Sequence, residues 1–342
     1  MGNVYSEMFP PAPTLTEKNL PDQSGKVFIV TGSSSGVGQA LAGILYQHNA
    51  KVYVAARSAE KADKAISAIK SEHPDSKGQL VFLKLDLDDL TTIKGTVDDF
   101  LSKESRLDVL FNNAGVMMPP QGSKTKQNWD LQLGTNNIAP FLFTKLLLPL
   151  LAQSAKTAPK DGVRVVWVSS FGAKMAPTIP IDMSNINYEN RNESIYTKYY
   201  RSKAGIVFHS SEFARRTKGD GVIHVALNPG NLKTELQRHV QGTSRFFQWM
   251  LYTPIHGAYT ELYAGLSPEI TEENNGGWRK CFFLTPLSIF LVCLAFQEDM
   301  EAEYSSPVNP WGSIAPLKKN LQNEDLAKQF YEWTDEQVKH YA

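Results

Sequence analysis

Thr31-Gly32-Ser33-Ser34-Ser35-Gly36-Val37-Gly38 joins a short apolar run, Val27 to Val30, to residues 36–48, where Val37, Leu41, Ile44 and Leu45 recur at helical spacing. Glycines at such a strand-to-helix junction let the backbone turn tightly and approach a ligand. The helix start offers unpaired N–H groups and the positive end of its dipole, which suits a pyrophosphate. The plain alternative is a Ser/Gly loop that binds nothing. The position between strand and helix weighs toward the binding loop.

Outward from this junction the chain keeps alternating. Strand-like runs fall at Lys51–Ala56, Leu80–Leu85, Leu107–Phe111, Val163–Ser169 and Val222–Leu227. Helical patterns fall at 59–72, 89–103, about 126–153, and 196–217. Such alternation predicts βαβ units with right-handed crossovers. The expected fold class is therefore α/β, a doubly wound (Rossmann-type) parallel sheet in a single domain, with ligands outside the carboxyl ends of the strands. Residues 1–24, with Pro10, Pro11 and Pro13, read as an irregular N-terminal arm, and 25–330 as the domain proper.

Bulk properties exclude some classes. The 342-residue chain has 35 basic and 35 acidic side chains and a net charge of zero, so no nucleic-acid partner is expected. Cys281 and Cys293 have no zinc-like spacing, so no metal is expected, and buried free thiols are the plain reading. No signal peptide is evident, and a cytoplasmic location is expected. Met1-Gly2-Asn3-Val4-Tyr5-Ser6 fits the short myristoylation pattern, which arises often by chance, and one acyl chain anchors only marginally.

The spacing G-x-x-x-G-x-G after a Thr resembles the short-chain dehydrogenase/reductase family, and further motifs follow in that family's order. The second strand ends Ala55-Ala56-Arg57-Ser58. NAD-preferring folds place a carboxylate there for the ribose 2′-hydroxyl. Here Arg57 can pair a 2′-phosphate instead, so NADP(H) is the expected cofactor; a solvated surface charge is the alternative. The resemblance implies that Gly32, Ser34, Ser35, Gly36, Val37 and Gly38 cradle the dinucleotide and that Asp86 contacts the adenine. Asp86 could also cap the next helix. Asn112-Asn113-Ala114-Gly115 matches the family's N-N-A-G motif beside the adenosine.

Tyr199 and Lys203 form Y-x-x-x-K. Four residues apart on a helix, they share a face. A nearby ammonium favours phenolate, so Tyr199 is expected to be the general acid for carbonyl reduction and the base for alcohol oxidation. Tyr196 and Tyr200 have no lysine four residues on. In the resembled family the lysine also holds the nicotinamide ribose. Ser169 and Ser170 end the preceding strand, and alignment to the family favours Ser170 as the donor to the substrate oxygen. Asn136 matches an asparagine that positions a water in a proton relay. Pro229, Gly230, Leu232 and Thr234 match the nicotinamide side, and Lys145 matches a basic cofactor contact that some members carry.

The long stretch from Ser170 to Tyr199 resembles the retinol dehydrogenase-like and WW-domain-containing oxidoreductase-like branch, including fungal homologues. Expected pocket walls are 171–196 and 235–268. Phe246, Phe247, Trp249, Met250 and Tyr252 suit a lipophilic small-molecule substrate, a polyketide, terpenoid, steroid or retinoid-like compound of secondary metabolism. They equally suit core or homo-oligomer contacts. One apolar block, 281–296 within an insert at 279–306, departs from the family pattern. As a helix it spans ~24 Å against a ~30 Å hydrocarbon core and contains Pro286, so a membrane anchor is not favoured. A substrate flap and a retained intron are the other readings, and the intron is favoured because the insert would split a core strand. Rival functions are a non-catalytic NADP(H) sensor or scaffold of the same fold, and an epimerase or dehydratase that recycles its cofactor.

Overall fold

The computed structural model describes residues 13–230, 232–234, 236, 251–280 and 319–342. Among them one sheet contains β1 (Val27–Thr31), β2 (Lys51–Ala56), β3 (Gln79–Lys84), β4 (Val109–Asn112), β5 (Val163–Val168), β6 (Val222–Asn228) and β7 (Trp278–Lys280). All pair in parallel, in the order β3-β2-β1-β4-β5-β6-β7. The order turns back on itself between β1 and β4, which is the doubly wound, Rossmann-type arrangement in a single domain.

The helices are α1 (Gly36–Gln47), α2 (Ala59–Glu72), α3 (Ile93–Leu101), α4 (Leu131–Ala155), α5 (Ile195–Arg216), α6 (Pro254–Leu266) and α7 (Glu324–Val338). Strand residues alternate between two cores. Val27 and Ile29 join the core under α3, α4, α5 and α7, whereas Phe28 and Val30 join the core under α1, α2 and α6. Burial on both faces explains why these strands read as unbroken apolar runs. α4 is long and apolar enough to cross a membrane, but most of it is buried against the sheet.

Three features depart from the sequence expectations. α4 starts at Leu131 rather than near 126. Thr125 and Trp129 are tied in a turn by a 2.9 Å backbone bond, and Asp130 caps the helix by accepting from the Gln132 N–H. α6 was expected only as pocket wall; it begins with Pro254 in its first turn, where proline costs no hydrogen bond. α7 was not anticipated, and the expected domain end at 330 falls inside it. Phe330 and Val338 are fully buried, Phe330 stacks on His209 at 4.6 Å, and the Arg216 guanidinium lies 4.2 Å above the Tyr331 ring.

The Gly2 motif, Phe246, Phe247, Trp249, Met250, both cysteines and residues 281–306 of the insert lie outside the described residues; β7 takes up residues 278–280, at the insert's start.

Candidate active site

The glycine loop meets the expectation of close approach. Gly32 has φ +69°, and a Cβ there would stand 2.9 Å from the Ala114 Cα. Gly38 has its own neighbour: a Cβ would fall 2.5 Å from the Asn113 Nδ2. Gly36, φ +61°, opens α1 opposite Thr234, whose side chain would lie 3.6 Å from a Cβ. Ser35, the residue before the helix, makes no capping bond with its side chain, and the first turn carries no acid. The N–H groups of the helix start are thus not taken up by a side-chain cap, and at Gly32 and Gly38 the cradle has no room for a Cβ. Both features fit a dinucleotide diphosphate.

β4 supplies the next wall. Asn112 donates to the Thr144 hydroxyl at 2.8 Å, Asn113 donates to the Thr31 carbonyl at 2.7 Å, and the Ala114 N–H donates to the Thr31 hydroxyl at 2.9 Å. This motif therefore ties β4 to β1 and α4. Past β6, the Gly230 N–H donates to the Asn228 side chain at 3.2 Å, and Leu232 is buried and bridges to Tyr252.

At the adenosine end Arg57 extends into solvent and pairs with Asp88 at 2.7 Å. Sequence reading overlooked Asp88. Its other oxygen accepts from the Thr135 hydroxyl at 2.7 Å, and its N–H donates to Asp86 at 3.0 Å. The helix cap considered for Asp86 belongs instead to Asp89, which accepts from the Thr91 N–H. Lys145 sits elsewhere: its ammonium pairs with Asp335 of α7, so it is not brought to the other candidates.

Tyr199 and Lys203 are both buried on one face of α5, with the Lys203 Nζ 5.8 Å from the centre of the Tyr199 ring. Lys203 donates to the Val168 carbonyl at 3.1 Å, at the carboxyl end of β5. Gly115 borders the pair: a Cβ there would lie 3.6 Å from the Lys203 Nζ and 3.0 Å from the Asn136 Oδ1. The two serines separate clearly. Ser169 is buried and its hydroxyl donates to the Lys203 carbonyl at 2.6 Å, which locks α5 onto β5. The Ser170 hydroxyl instead lies against the Tyr199 phenol.

Electrostatics correct one expectation. Burial dominates at Tyr199 and pushes the phenol up to about 12, with Ser170 opposing the rise. Burial likewise pushes Lys203 down to about 8. The acidified phenol expected from the nearby ammonium is not what this arrangement produces. A protonated phenol is, however, the form a proton donor needs.

Asn136 also differs in detail. Its amide accepts from the Val116 N–H at 2.8 Å and donates to the Val116 carbonyl and the Ser202 hydroxyl, both at 3.0 Å. Both ends of the side chain are spent on protein. The residue sits in a π-helical turn, Gly134–Ile138, a distortion frequent at functional sites.

The segment between Ser170 and Tyr199 is built rather than loose. Arg201, two residues after Tyr199, is 7% exposed and grips Glu193 at 2.6 and 2.9 Å while donating to the Ile179 and Pro180 carbonyls. Lys198 pairs with buried Asp130 at 3.0 Å and lies 4.7 Å over the Tyr188 ring. Sequence reading singled out none of these side chains, because partners 8 and 68 residues apart leave no helix or strand periodicity to read.

Comparison with known proteins agrees with this architecture. A family model described as short chain dehydrogenase matches residues 26–180. A short-chain dehydrogenase/reductase of Phomopsis amygdali is 46% identical over 355 residues, covering 99% of this chain and 97% of that protein. Another from Emericella nidulans is 47% identical over 332 residues, covering 96% and 97%. The solved Pseudomonas aeruginosa RhlG/NADP active-site complex superposes with a TM-score of 0.58 at 23% identity, covering 77% of this chain and 98% of that one, a likeness of fold. With the glycine cradle, the Tyr199–Lys203 face and relatives matched nearly end to end, the chain belongs to the short-chain dehydrogenase/reductase family of oxidoreductases, which bind a nicotinamide cofactor.

Proposed function

We propose that this protein uses NADP(H) to interconvert a carbonyl and an alcohol on a lipophilic small molecule, with reduction the direction its resting protonation favours. The observation that carries this reading is the buried Tyr199–Lys203 face, with Ser170 against the phenol, beside the glycine cradle. A reduced nicotinamide bound there supplies the hydride. Ser170 donates to the carbonyl oxygen as charge builds on it. Tyr199, protonated at neutral pH, gives its proton to that oxygen. Lys203 stabilises the phenolate left behind. With the Asn136 amide spent on Val116, its backbone carbonyl in the π-turn is the group we assign to hold a relay water.

The lipophilic assignment rests on apolar side chains exposed in the segment that leads into Tyr199. Among the described residues the large apolar side chains left exposed are Leu101, Ile179 and Tyr196, and the last two lie within the segment between Ser170 and Tyr199. A cytoplasmic setting and a role in secondary metabolism complete the proposal. A panel of ketones and aldehydes, followed by NADPH absorbance, tests it. Cofactor binding with no turnover on any of them would favour a sensor or scaffold instead.

Two results are expected from the same assay. Reductive kcat/KM should be flat at neutral pH and fall as pH rises through about 8, where the depressed Lys203 ammonium is lost while the phenol stays protonated. A profile still flat well above that value would remove Lys203 from the step. Arg57→Ala should lower kcat/KM with NADPH by about 10- to 100-fold and leave the NADH value nearly unchanged. The Arg57–Asp88 pair is exposed, and such pairs contribute little, so the guanidinium can swing to a phosphate. Equal losses with both cofactors would refute the 2′-phosphate assignment.

A further inference from the structure

One carboxylate touches both ends of the site and has no part in those steps. Asp88 follows β3, and its two oxygens serve different partners. Oδ2 accepts from the Arg57 guanidinium at 2.7 Å, at the adenosine end. Oδ1 accepts from the Thr135 hydroxyl at 2.7 Å. Thr135 is buried and lies in the π-helical turn Gly134–Ile138, one residue before Asn136.

That turn has few other holds. It closes with a bond from the Ala139 N–H to the Gly134 carbonyl, five residues back, which is one residue wider than an α-helical bond. Gly134 and Ile138 carry no polar side chain, and neither side-chain atom of Asn137 has a partner among the described residues. Thr135 and Asn136 supply the outward bonds, Thr135 to Asp88 and Asn136 to Val116 and Ser202. The Ser202 hydroxyl in turn donates to the Tyr199 carbonyl at 2.8 Å. A connected set of groups therefore runs from exposed Arg57 to the turn of α5 that carries Tyr199.

Asp88 is itself held on both sides. Its N–H donates to Asp86 at 3.0 Å, and its carbonyl accepts from the Lys126 N–H at 2.9 Å. Next to it, the Gln127 side chain accepts from the Leu90 N–H at 3.1 Å and donates to Asp89 at 3.0 Å. These bonds seat the segment after β3 against the residues before α4. The Asp88–Thr135 bond is the one among them that reaches the π-turn.

We propose that Asp88 is a positioning residue for both ends of the bound cofactor: through Thr135 it fixes the turn that presents Asn136, and through Arg57 it sets how tightly a 2′-phosphate is held. This rests on the NADP(H) reading above, in which the π-turn holds the relay water. The two contacts pull in opposite directions. A 2′-phosphate has to take Arg57 away from Asp88 and comes near a carboxylate in doing so, which weakens its binding modestly because the pair is exposed. A hydroxyl donating to a carboxylate is a charge-assisted bond, and with Thr135 buried it restrains the turn more strongly.

The test measures dissociation constants of NADPH and NADH by quenching of protein fluorescence, and single-turnover rates on a ketone that the panel shows to be reduced. Asp88→Ala should bind NADPH about threefold more tightly, leave NADH binding unchanged, and reduce the ketone about tenfold more slowly. Thr135→Val should slow the reaction as much, with both affinities within about twofold of normal, and Thr135→Ser should restore the rate. Adding Thr135→Val to Asp88→Ala should slow it no further, because the two side chains act as one unit. A folding defect would weaken binding and slow the reaction together. That result, weaker NADPH binding by Asp88→Ala, or an unchanged rate in either single variant overturns the proposal. If the unaltered protein prefers NADH or reduces nothing in the panel, the NADP(H) reading falls first and this inference falls with it. Asp88→Ser gives the same affinity comparison should the alanine variant fail to fold.

Discussion

Tyr199→Phe is expected to lower kcat for carbonyl reduction by about 10²- to 10⁴-fold, the usual contribution of a positioned general acid. NADPH affinity should be unchanged. The substitution removes one oxygen and keeps the ring that packs 6.2 Å from Tyr200 and against Gly172. Stability should therefore change little. Tyr196 is half exposed, and neither it nor Tyr200 has a lysine four residues on, so their phenylalanine variants should stay close to normal turnover. Steady-state kinetics with parallel cofactor titration checks this. Turnover of Tyr199→Phe within tenfold of the unaltered enzyme would dismiss Tyr199 as the proton donor.

Arg201→Met should be the most destabilising of the substitutions considered, at about 3 kcal/mol, the low end for breaking one half of a buried ion pair. The variant leaves Glu193 buried and deprives the Ile179 and Pro180 carbonyls of a donor. Glu193 shows what is at stake. Burial raises its carboxyl, yet the Arg201 and Arg191 hydrogen bonds outweigh burial and hold it below its ordinary value. Arg191, mostly exposed, still reaches Glu193 at 3.2 Å and softens the loss, which is why the low end applies. Chemical denaturation with an unchanged slope would report it. The double variant Arg201→Met/Glu193→Leu should recover part of the loss, because removing both charges costs less than stranding one. A loss under about 1 kcal/mol for the single variant would show that the pair is solvated and that the segment before Tyr199 is held by other contacts.

Much of the scaffold is legible from local pattern. β2 and α2 fall within the boundaries the sequence predicts, and β1, β5 and β6 differ by about a residue at their ends. These elements carry long apolar runs or strong periodicity, so local preference and tertiary burial agree. α7 has a helical pattern too, but its value lies in covering α5 through Phe330 and Tyr331, and a surface patch on another helix leaves no local signal. α6 is harder still. Its buried face mixes Ala258 and Leu262 with Gly257, Glu261 and Gly265, which dilute the apolar periodicity.

For the site, the type and spacing of residues were readable wherever chemistry demands neighbours in the chain. The glycine spacing specifies a helix start that a diphosphate can approach, and Tyr199 with Lys203 specifies one helix face. Partnerships across elements were not. Only the folded arrangement assigns Ser169 to structure and leaves Ser170 at the phenol, sends Lys145 to Asp335, and sets Arg57 on Asp88. The reason is physical. Backbone geometry is dictated over a few residues, whereas hydrogen bonds and proton affinities depend on distance and burial, which packing sets only after the chain has returned on itself.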